Sequence, residues 1–343
     1  MYASLIILMV IAAIILTTLV ILFTRLRTMS GIRHLGGKLY RVNYRTNYKL
    51  DKLLAKGVKN VPELTAFASK HLYFGYPIDV TEQISGCTSF TATSPTGELL
   101  AGRNFDYPKT EILLVHTKPR KGYASYSMVC LAHLNISEES GVTPKTLIGK
   151  LMILASPFAC VDGINEKGLH VAVLELSTAP TQQKYERTNI TTTVAVRMLL
   201  DKCATTQEAV AMLGKYNMFS SAGSPYHFLI SDATGNTVII EWPDPEQNMV
   251  VLPQNYVTNF QLADGKDKGA GGGFDRYNIV KETLEKSKNI LSEDDVMKLL
   301  DAAKAEYNGK WGTQWSIVYN INRKTMKICC YTNYDTVYEV QKI

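Results

Sequence analysis

Hydrophobic and polar positions along this chain follow two different periods, which predicts short β-strands interrupted by pairs of helices. Strands are predicted over residues 88–93, 98–104, 123–132, 169–176, 226–231, 237–242, 249–252, 256–260, 314–322, 324–332 and 336–341. Helices are predicted over residues 61–72, 192–202, 206–216, 275–287 and 293–304. Strand runs that alternate with helix pairs, without strict strand–helix–strand order, favour antiparallel sheets covered by helices.

The N-terminus follows neither period. Residues 4–23 are twenty consecutive positions without an ionisable group, dominated by Leu, Ile and Val. This stretch is long enough to span a bilayer, so we predict a single-pass membrane anchor over residues 1–24. A cleaved signal peptide and a core helix are the alternatives, but the basic start and the small-residue cleavage site of a signal peptide are missing. Lys and Arg counts favour the cytoplasm for the side that begins at Arg25, and the side of the membrane stays open.

Charge is distributed unevenly behind this stretch. Ten basic residues lie between Arg25 and Lys59 against the single acid Asp51, and we predict a basic linker and propeptide-like segment over residues 25–86. Because the whole chain carries a formal charge of +6 and this region +9, residues 61–343 sum to −3. Nucleic-acid binding is not expected, since phosphate recognition needs a basic excess on the folded surface. A content of 46% hydrophobic and 20% charged residues is that of a globular core.

Metal and cofactor signatures are not found in the sequence. The six cysteines form no CxxC pair, and the histidines stand at no metal-ligand spacing. The glycine cluster at residues 269–273 lacks the pattern of a phosphate-binding loop, and we predict a mobile loop there. The sequence therefore predicts neither a metal nor an organic cofactor.

The most informative segment is residues 86–108, which predicts a β-hairpin with its turn at residues 94–97. Two strand registers are open, which pair Cys87 with Asn104 or, with a bulge at the turn, with Phe105. Either register brings Arg103 and Asp106 close to Cys87.

A thiol, a guanidinium and a carboxylate are thus expected at one strand end. A nearby cation lowers the pKa of a thiol, and a carboxylate can hold an amine, so an activated nucleophile is one interpretation. The other interpretation is structural, with an Arg/Asp pair beside a buried cysteine. The spacing alone leaves both open.

Cys-Thr-Ser at residues 87–89, followed by Gly-Arg-Asn-Phe-Asp at residues 102–106, resembles the start of the mature chain in the choloylglycine hydrolase family. These are N-terminal-nucleophile (Ntn) amidases, among them bile salt hydrolases, penicillin V acylases, acid ceramidase and N-acylethanolamine amidases. The resemblance implies an α+β fold, the αββα Ntn hydrolase sandwich, over residues 87–343, preceded here by the transmembrane helix.

The resemblance also implies residue roles. Cys87 would be the nucleophile, its freed α-amine the general base, Asp106 the carboxylate that holds the amine, and Arg103 the charge that orients both. An α-amine has a reference pKa of about 7.7 to 8.0, so it can accept the thiol proton without a histidine. Asn259, in a stretch similar to the family's Thr-Asn motif, would be an oxyanion-hole donor, and Arg276 matches the family's late arginine.

Two features depart from bile salt hydrolases. Glu175 stands where those enzymes carry an Asn and where the acid amidase branch is similar in carrying Glu, which favours other N-acyl amides as substrates. An ionised Glu175 would oppose an oxyanion, so proton relay or positioning is the expected role. The second departure is the length of the segment before Cys87, which requires scission between Gly86 and Cys87.

The expected reaction is hydrolysis of a linear N-acyl amide, a small molecule, through a Cys87 thioester. An acyltransferase that uses the same thioester and a catalytically silent membrane-anchored binding protein of the same fold are the alternatives. Loops around residues 107–117, 137–157 and 216–225 are expected to form the substrate walls. Membrane contact is expected through residues 4–23, and a homo-oligomer is compatible with the sequence.

Overall fold

The computed structural model describes residues 2–78 and 86–342. Two β-sheets face each other and carry helices on their outer sides, which is an αββα sandwich. The predicted α+β class is confirmed. Residues 79–85, part of the predicted propeptide-like segment, lie outside the described residues.

Helices form where the sequence supplies an apolar stripe and a capping residue. The α-helices of the described residues are α1 (Tyr2–Ser30), α2 (Leu50–Lys56), α3 (Val61–Leu72), α4 (Leu147–Met152), α5 (Thr192–Lys202), α6 (Thr206–Leu213), α7 (Phe274–Lys286) and α8 (Glu293–Ala302). Short 3-10 helices span Leu131–Leu134, Ile153–Phe158 and Ser221–Gly223. Helix α3 follows Asn60, whose side chain accepts the Glu63 N–H, and has a proline in its first turn, as helix starts prefer.

The strands build two main sheets. They are β1 (Ile32–Gly36), β2 (Leu39–Tyr44), β3 (Gly86–Thr93), β4 (Leu99–Pro108), β5 (Ile112–Thr117), β6 (Ser125–Cys130), β7 (Cys160–Asn165), β8 (His170–Glu175), β9 (Thr188–Thr191), β10 (Tyr216–Phe219), β11 (Tyr226–Ser231), β12 (Thr237–Glu241), β13 (Val250–Leu252), β14 (Tyr256–Val257), β15 (Asn259–Phe260), β16 (Gly271–Gly272), β17 (Trp311–Asn320), β18 (Thr325–Cys330) and β19 (Tyr338–Val340). The nine-stranded sheet has the order β1-β2-β5-β6-β7-β8-β11-β12-β13, and the six-stranded sheet has the order β14-β3-β4-β17-β18-β19. Two-stranded ladders join β9 to β10 and β15 to β16.

The layers meet through apolar side chains on both faces of each sheet. Strand β3 of the six-stranded sheet packs against β8 and β11 of the nine-stranded sheet, and α5 covers the outer side of the latter. Helices α7 and α8 cover the outer side of the six-stranded sheet over a separate apolar cluster that includes Phe90 and Leu100. Strands β3 and β4 are therefore buried on both faces.

Residues 25–78, which we call the leader, are folded into the body. Strand β2 pairs in parallel with β5, so the leader supplies two strands to the nine-stranded sheet. Tyr44, Leu53 and Phe67 belong to the main apolar core, and the Tyr48 hydroxyl donates to Asp201 Oδ2 at 2.6 Å. The predicted basic linker is thus a packed element in its described part, while the boundaries at residues 24 and 86 stay predictions.

Helix α1 is long and apolar enough to cross a membrane, by length and composition. The same two properties also fit a signal sequence near the N-terminus. The helix continues without a break past the apolar stretch to Ser30, and its last turns are buried against the leader at Arg25, Thr28 and Met29.

Several details differ from the sequence predictions. Strands β5 and β7 were not predicted, and the predicted strand 256–260 is divided into β14 and β15 at Thr258. The prediction of a mobile loop at residues 269–273 is wrong for Gly271–Gly272, which pair with Asn259–Phe260 as β16. Such long-range pairing has no local sequence period.

Candidate active site

The hairpin of β3 and β4 has the second of the two predicted registers. The Gly97 N–H donates to the Ser94 carbonyl at 2.9 Å, and the Ser94 N–H donates to the Glu98 carbonyl at 2.7 Å. Gly97 has a φ of 90°, which a glycine adopts without strain and which produces a one-residue bulge. As a result Cys87 pairs with Phe105 and Gly86 with Asp106.

Side-chain alternation along β4 sends Arg103 and Asp106 to opposite sides. Arg103 lies on the side that points toward the nine-stranded sheet, which we call the inner face, where it contacts Asp162 of β7. Asp106 lies on the side that points toward α7, which we call the outer face, where it pairs with Arg276. Arg103, Asp106 and Asp162 are fully buried.

The inner face surrounds the thiol. The Cys87 Sγ lies 3.9 Å from the main-chain oxygen of Val173, and Arg103 Nη2 donates to the same oxygen at 2.7 Å. Arg103 Nε lies 3.5 Å from Asp162 Oδ2, and Tyr319 donates a hydrogen bond to Asp162. Burial raises the pKa of Cys87 to about 11, and the Arg103 guanidinium opposes this rise. The thiol of the uncut chain is therefore protonated at neutral pH.

The outer face holds the main chain of residue 87. Arg276 Nη1 donates to the Cys87 carbonyl at 2.8 Å, to Thr88 Oγ1 at 2.9 Å and to Asp106 Oδ2 at 2.8 Å. The Thr313 hydroxyl donates to Asp106 Oδ1 at 2.6 Å. Burial raises the pKa of Asp106, while Arg276 and Thr313 oppose the rise.

Asn259 completes the contacts of residue 87. Its Oδ1 accepts the Cys87 N–H at 2.6 Å and a hydrogen bond from Arg276 Nη2 at 3.0 Å, and its Nδ2 donates to the Glu175 main-chain oxygen at 2.8 Å. A Cβ on Gly271 would lie 2.0 Å from the Asn259 carbonyl oxygen, so this close pairing requires glycine. The glycine cluster therefore supports Asn259.

A buried histidine and carboxylate fix the segment that carries Asn259. His227 contacts the Thr258 carbonyl at 2.6 Å through Nε2 and Glu241 at 2.8 Å through Nδ1. Glu241 also accepts the Ala263 N–H at 2.7 Å. Burial alone would raise the pKa of Glu241, but these hydrogen bonds lower it below its ordinary value. Residues 258–263 are thus held by His227 at Thr258 and by Glu241 at Ala263.

Gly86 lies in a confined position before Cys87. A Cβ at residue 86 would lie 2.9 Å from the Trp311 indole and 3.0 Å from Asp106 Oδ2. The Asp106 carboxylate therefore lies directly beside the residue that supplies the carbonyl of the Gly86–Cys87 bond.

The structure brings together five of the six predicted site residues through side-chain contacts: Cys87, Arg103, Asp106, Asn259 and Arg276. Glu175 is buried at the end of β8 and reaches the group through its main-chain oxygen. Their chemical roles stay predictions.

Sequence reasoning missed three contributors, which are Thr313, Asp162 and the Val173 carbonyl. Thr313 stands 207 residues from Asp106 along the chain, and no motif of the sequence connects them. Among the described residues, no group of three or more His, Cys, Asp or Glu side chains is placed to hold a metal ion.

A largely apolar cavity of about 80 Å³ is lined in part by Val173, the residue whose main-chain oxygen lies 3.9 Å from the Cys87 Sγ. Its walls come from the body, including Phe158 and Tyr226, and from the leader, including Leu64 and Ala68 of α3. Of the three loops expected to form substrate walls, 137–157 contributes Ala155 and 216–225 contributes Ser221, while 107–117 does not line this cavity. The contribution of the leader was not predicted.

Comparison with known proteins gives a consistent result. Residues 87–261, about half of the chain, match the family model of linear amide C-N hydrolases, choloylglycine hydrolase family. A cysteine-to-alanine mutant of conjugated bile acid hydrolase from Clostridium perfringens has a similar fold, with a TM-score of 0.54 and 17% identity over 74% of this chain and 92% of that chain. An arginine-to-leucine variant of the same hydrolase gives a TM-score of 0.53 and 14% identity over the same shares. At these identities the structures show the fold.

Proposed function

The chain belongs to the choloylglycine hydrolase family of linear amide C-N hydrolases, and from this premise we propose that Cys87 is its nucleophile toward an N-acyl amide. Ntn-type hydrolysis of linear amide bonds is the activity of the family. The proposal rests on two hydrogen bonds to the main chain of Cys87. Asn259 accepts its N–H, and Arg276 donates to its carbonyl. The cysteine and arginine replaced in the two bile acid hydrolase variants stand sixteen positions apart, as Cys87 and Arg103 do.

The first step is self-processing. The Cys87 thiol attacks the Gly86 carbonyl carbon, the C–N bond breaks, and the departing nitrogen takes up a proton to become the α-amine. Water then hydrolyses the resulting Gly86 thioester, which gives a new carboxyl end and a free Cys87 thiol. The small Gly86, confined by Trp311 and Asp106, supports close approach of the thiol to this carbonyl.

The second step uses the new amine as the base. Asn259 Oδ1, already 2.6 Å from the Cys87 nitrogen, orients the amine so that its lone pair can take the thiol proton. An α-amine has a reference pKa of about 7.7 to 8.0, which suits a base near neutral pH. Arg103 favours the thiolate against the effect of burial. The Asp106–Arg276 pair keeps this end of β3 in position.

Amide hydrolysis then follows through an acyl-enzyme. The thiolate adds to the substrate carbonyl, the tetrahedral intermediate expels the amine with the proton held by the α-amine, and water resolves the thioester. Asn259 Nδ2 carries two hydrogens and uses one for the Glu175 carbonyl, so we assign the other to the oxyanion. Glu175 then acts in positioning, through the main-chain oxygen that orients this amide.

The cavity is suited to an apolar acyl group, which would be the acyl part of the amide substrate. The cavity lining is dominated by apolar side chains, and it shares Val173 with the surroundings of the thiol, which supports this assignment. Its volume of about 80 Å³ has room for several waters, or for part of an acyl chain that displaces them. The relative is named for the hydrolysis of conjugated bile acids, and Leu64 and Ala68 of the leader form part of the cavity wall in this chain.

We further propose that the leader stays bound after scission. Its two strands remain paired through β2 and β5, and Tyr48 remains bonded to Asp201 inside the body. Helix α1 would then act as a single-pass membrane anchor for the processed enzyme, with Lys and Arg counts favouring the cytoplasmic side for the body.

The test is a series of N-acyl amides that differ in acyl length, incubated with the detergent-solubilised full chain and with Cys87→Ala. We expect release of the amine and the carboxylic acid by the wild type alone, and an acid-quenched sample that carries the acyl group on the Cys87 peptide. Equal release by Cys87→Ala, or acyl groups on another residue, would contradict the proposal. Added amines that divert the acyl group would identify an acyltransferase instead.

A further inference from the structure

Five large apolar side chains lie exposed at the end of the leader and on α4 of the body, and we call them the juxtamembrane patch. They are Phe74, Tyr76, Leu147, Ile148 and Leu151, with exposed fractions between 39% and 74%. Helix α4 turns Leu147, Ile148 and Leu151 outward and buries Gly149 instead. This is the reverse of a surface helix on a globular protein, whose apolar stripe faces the core.

The patch adjoins helix α1. The Arg25 guanidinium donates to the His71 carbonyl at 2.9 Å and lies 3.7 Å above the centre of the Phe74 ring. The Tyr73 hydroxyl donates to the Met152 carbonyl at 2.9 Å, which joins the two segments of the patch. Helix α1 also packs against Ile153–Phe158, the continuation of α4.

These contacts fix the level of the patch along α1. Arg25 is the first charged residue after the apolar stretch 4–23, which at about 1.5 Å per residue matches a hydrocarbon core of about 30 Å. Phe74, in contact with Arg25, therefore lies where the apolar span ends. Because α1 is continuous to Ser30 and buried at its last turns, the body has a fixed position relative to the span.

Basic residues surround the same end of the body. Lys70 lies beside His71 in the last turn of α3. Burial lowers the pKa of His71, and the positive charges of Lys49, Lys52, Lys56 and Lys70 lower it further. Lysine side chains near a bilayer surface attract anionic headgroups. Aromatic and aliphatic side chains combined with lysines are typical of surfaces that lie in a membrane interface.

We propose that the juxtamembrane patch inserts into the headgroup and upper acyl layer of the same bilayer that α1 spans. The body then rests on the membrane in one orientation, with Lys70 at the end of α3 among the headgroups. This inference rests on the anchor role of α1 proposed above. It adds a second membrane contact, one made by the folded body.

The experiment measures the depth of labelled positions in nanodiscs of phosphatidylcholine and phosphatidylglycerol. Single variants Ile148→Cys and Ile290→Cys are made in full-length Cys87→Ala, labelled with an environment-sensitive fluorophore and quenched by lipids with a nitroxide near the headgroup. The native cysteines are buried, so the introduced thiol is the one labelled. Ile290 is similarly exposed but lies between α7 and α8, in the opposite outer layer. A label at Ile15→Cys, quenched by nitroxides deep in the acyl chain, reports on α1.

We expect the label at position 148 to lose most of its fluorescence and the label at position 290 to keep it. If position 15 is quenched while positions 148 and 290 respond alike, α1 spans the bilayer. The patch proposal is then overturned, while the anchor proposal stands. If position 15 is not quenched either, both the anchor and the patch are overturned. Protection of position 148 that depends on protein concentration, without lipid quenching, would identify a second copy as the occupant and also overturn the proposal.

Discussion

The inner and outer faces of the β3–β4 hairpin carry the same kinds of charge and use them differently. On the inner face, Arg103 opposes the rise in the thiol pKa that burial causes, and Asp162 pairs with Arg103. On the outer face, Arg276 and Asp106 hold the nitrogen and carbonyl side of residue 87 together with Asn259. Neighbouring side chains of one strand point to opposite sides of the sheet. A single strand can therefore present one set of groups to the thiol and another to the main chain of residue 87. We therefore propose that the inner face acts mainly on the nucleophile and the outer face mainly on the amine.

The largest effect is expected from the outer face. Asp106→Asn removes the charge that pairs with Arg276, the residue that binds both the Cys87 carbonyl and Asn259 Oδ1, so the amine is misplaced. A positioned general base contributes about 10²- to 10⁴-fold, and we expect kcat/KM of the processed enzyme to fall by about 10²-fold or more.

The matched control is Asp275→Asn, which removes the same charge from an exposed position in the first turn of α7. It should keep wild-type kinetics. Wild-type kcat/KM in Asp106→Asn would show that the outer face has no part in the reaction.

A smaller effect with a different signature is expected from the inner face. Arg103→Gln removes the cation that opposes the rise in the pKa of Cys87, so the thiol pKa rises. Each unit of rise reduces the thiolate by about tenfold, and we expect kcat/KM to fall at neutral pH and to recover as the pH increases.

Because Arg103→Gln leaves the buried Asp162 carboxylate without its cation, the double variant Arg103→Gln with Asp162→Asn is measured beside it. The double variant should keep the alkaline shift with better thermal stability. A fall in kcat/KM that is independent of pH in both variants would contradict the assignment of the inner face to the thiol proton.

Scission should respond to crowding at Gly86. Gly86→Ala places a methyl group about 3 Å from both the Trp311 indole and Asp106 Oδ2, and overpacking of about 1–3 kcal/mol corresponds to a loss in rate of about 5- to 150-fold. We expect slower appearance of the processed chain on a denaturing gel, with unchanged turnover by the fraction that is cut. Gly272→Ala, whose Cβ would enter open space, is the control. Equal scission rates in the two variants would be inconsistent with a confined Gly86.

The smallest effect is expected from the hydrogen bond between Tyr48 of the leader and Asp201 of the body. Tyr48→Phe removes the donor to Asp201, and an unsatisfied buried acceptor costs about 1–3 kcal/mol. We expect a lower free energy of unfolding in urea with turnover retained, whereas Tyr185→Phe, at an exposed site, should leave the unfolding free energy unchanged. An unfolding free energy unchanged by Tyr48→Phe would mean that this contact does not help to retain the leader.

The hairpin shows how much of the site the sequence contains. The turn at residues 94–97 and the sixteen- and nineteen-residue steps from Cys87 to Arg103 and Asp106 are local features, and the bulged register derived from them is confirmed. The opposite directions of the Arg103 and Asp106 side chains follow from their odd spacing. The resemblance added Asn259 and Arg276, which no local pattern connects to Cys87.

The parts not predicted depend on contacts between distant segments. The parallel pairing of β2 with β5 puts the leader into the core, although its composition is basic and polar. Thr313 reaches Asp106 only because β17 lies beside β4. The cavity forms between α3 and the body, so neither segment alone contains its shape. Such arrangements depend on tertiary packing, which periodicity and spacing do not specify.

The central claim is that Cys87 becomes an N-terminal residue and supplies its own base. Intact mass spectrometry of the purified full-length protein, wild type beside Cys87→Ala, tests this claim most directly. We predict a wild-type fragment that begins at Cys87 and a Cys87→Ala chain that stays in one piece. An uncut wild-type chain, or the same cut in both proteins, would contradict the claim.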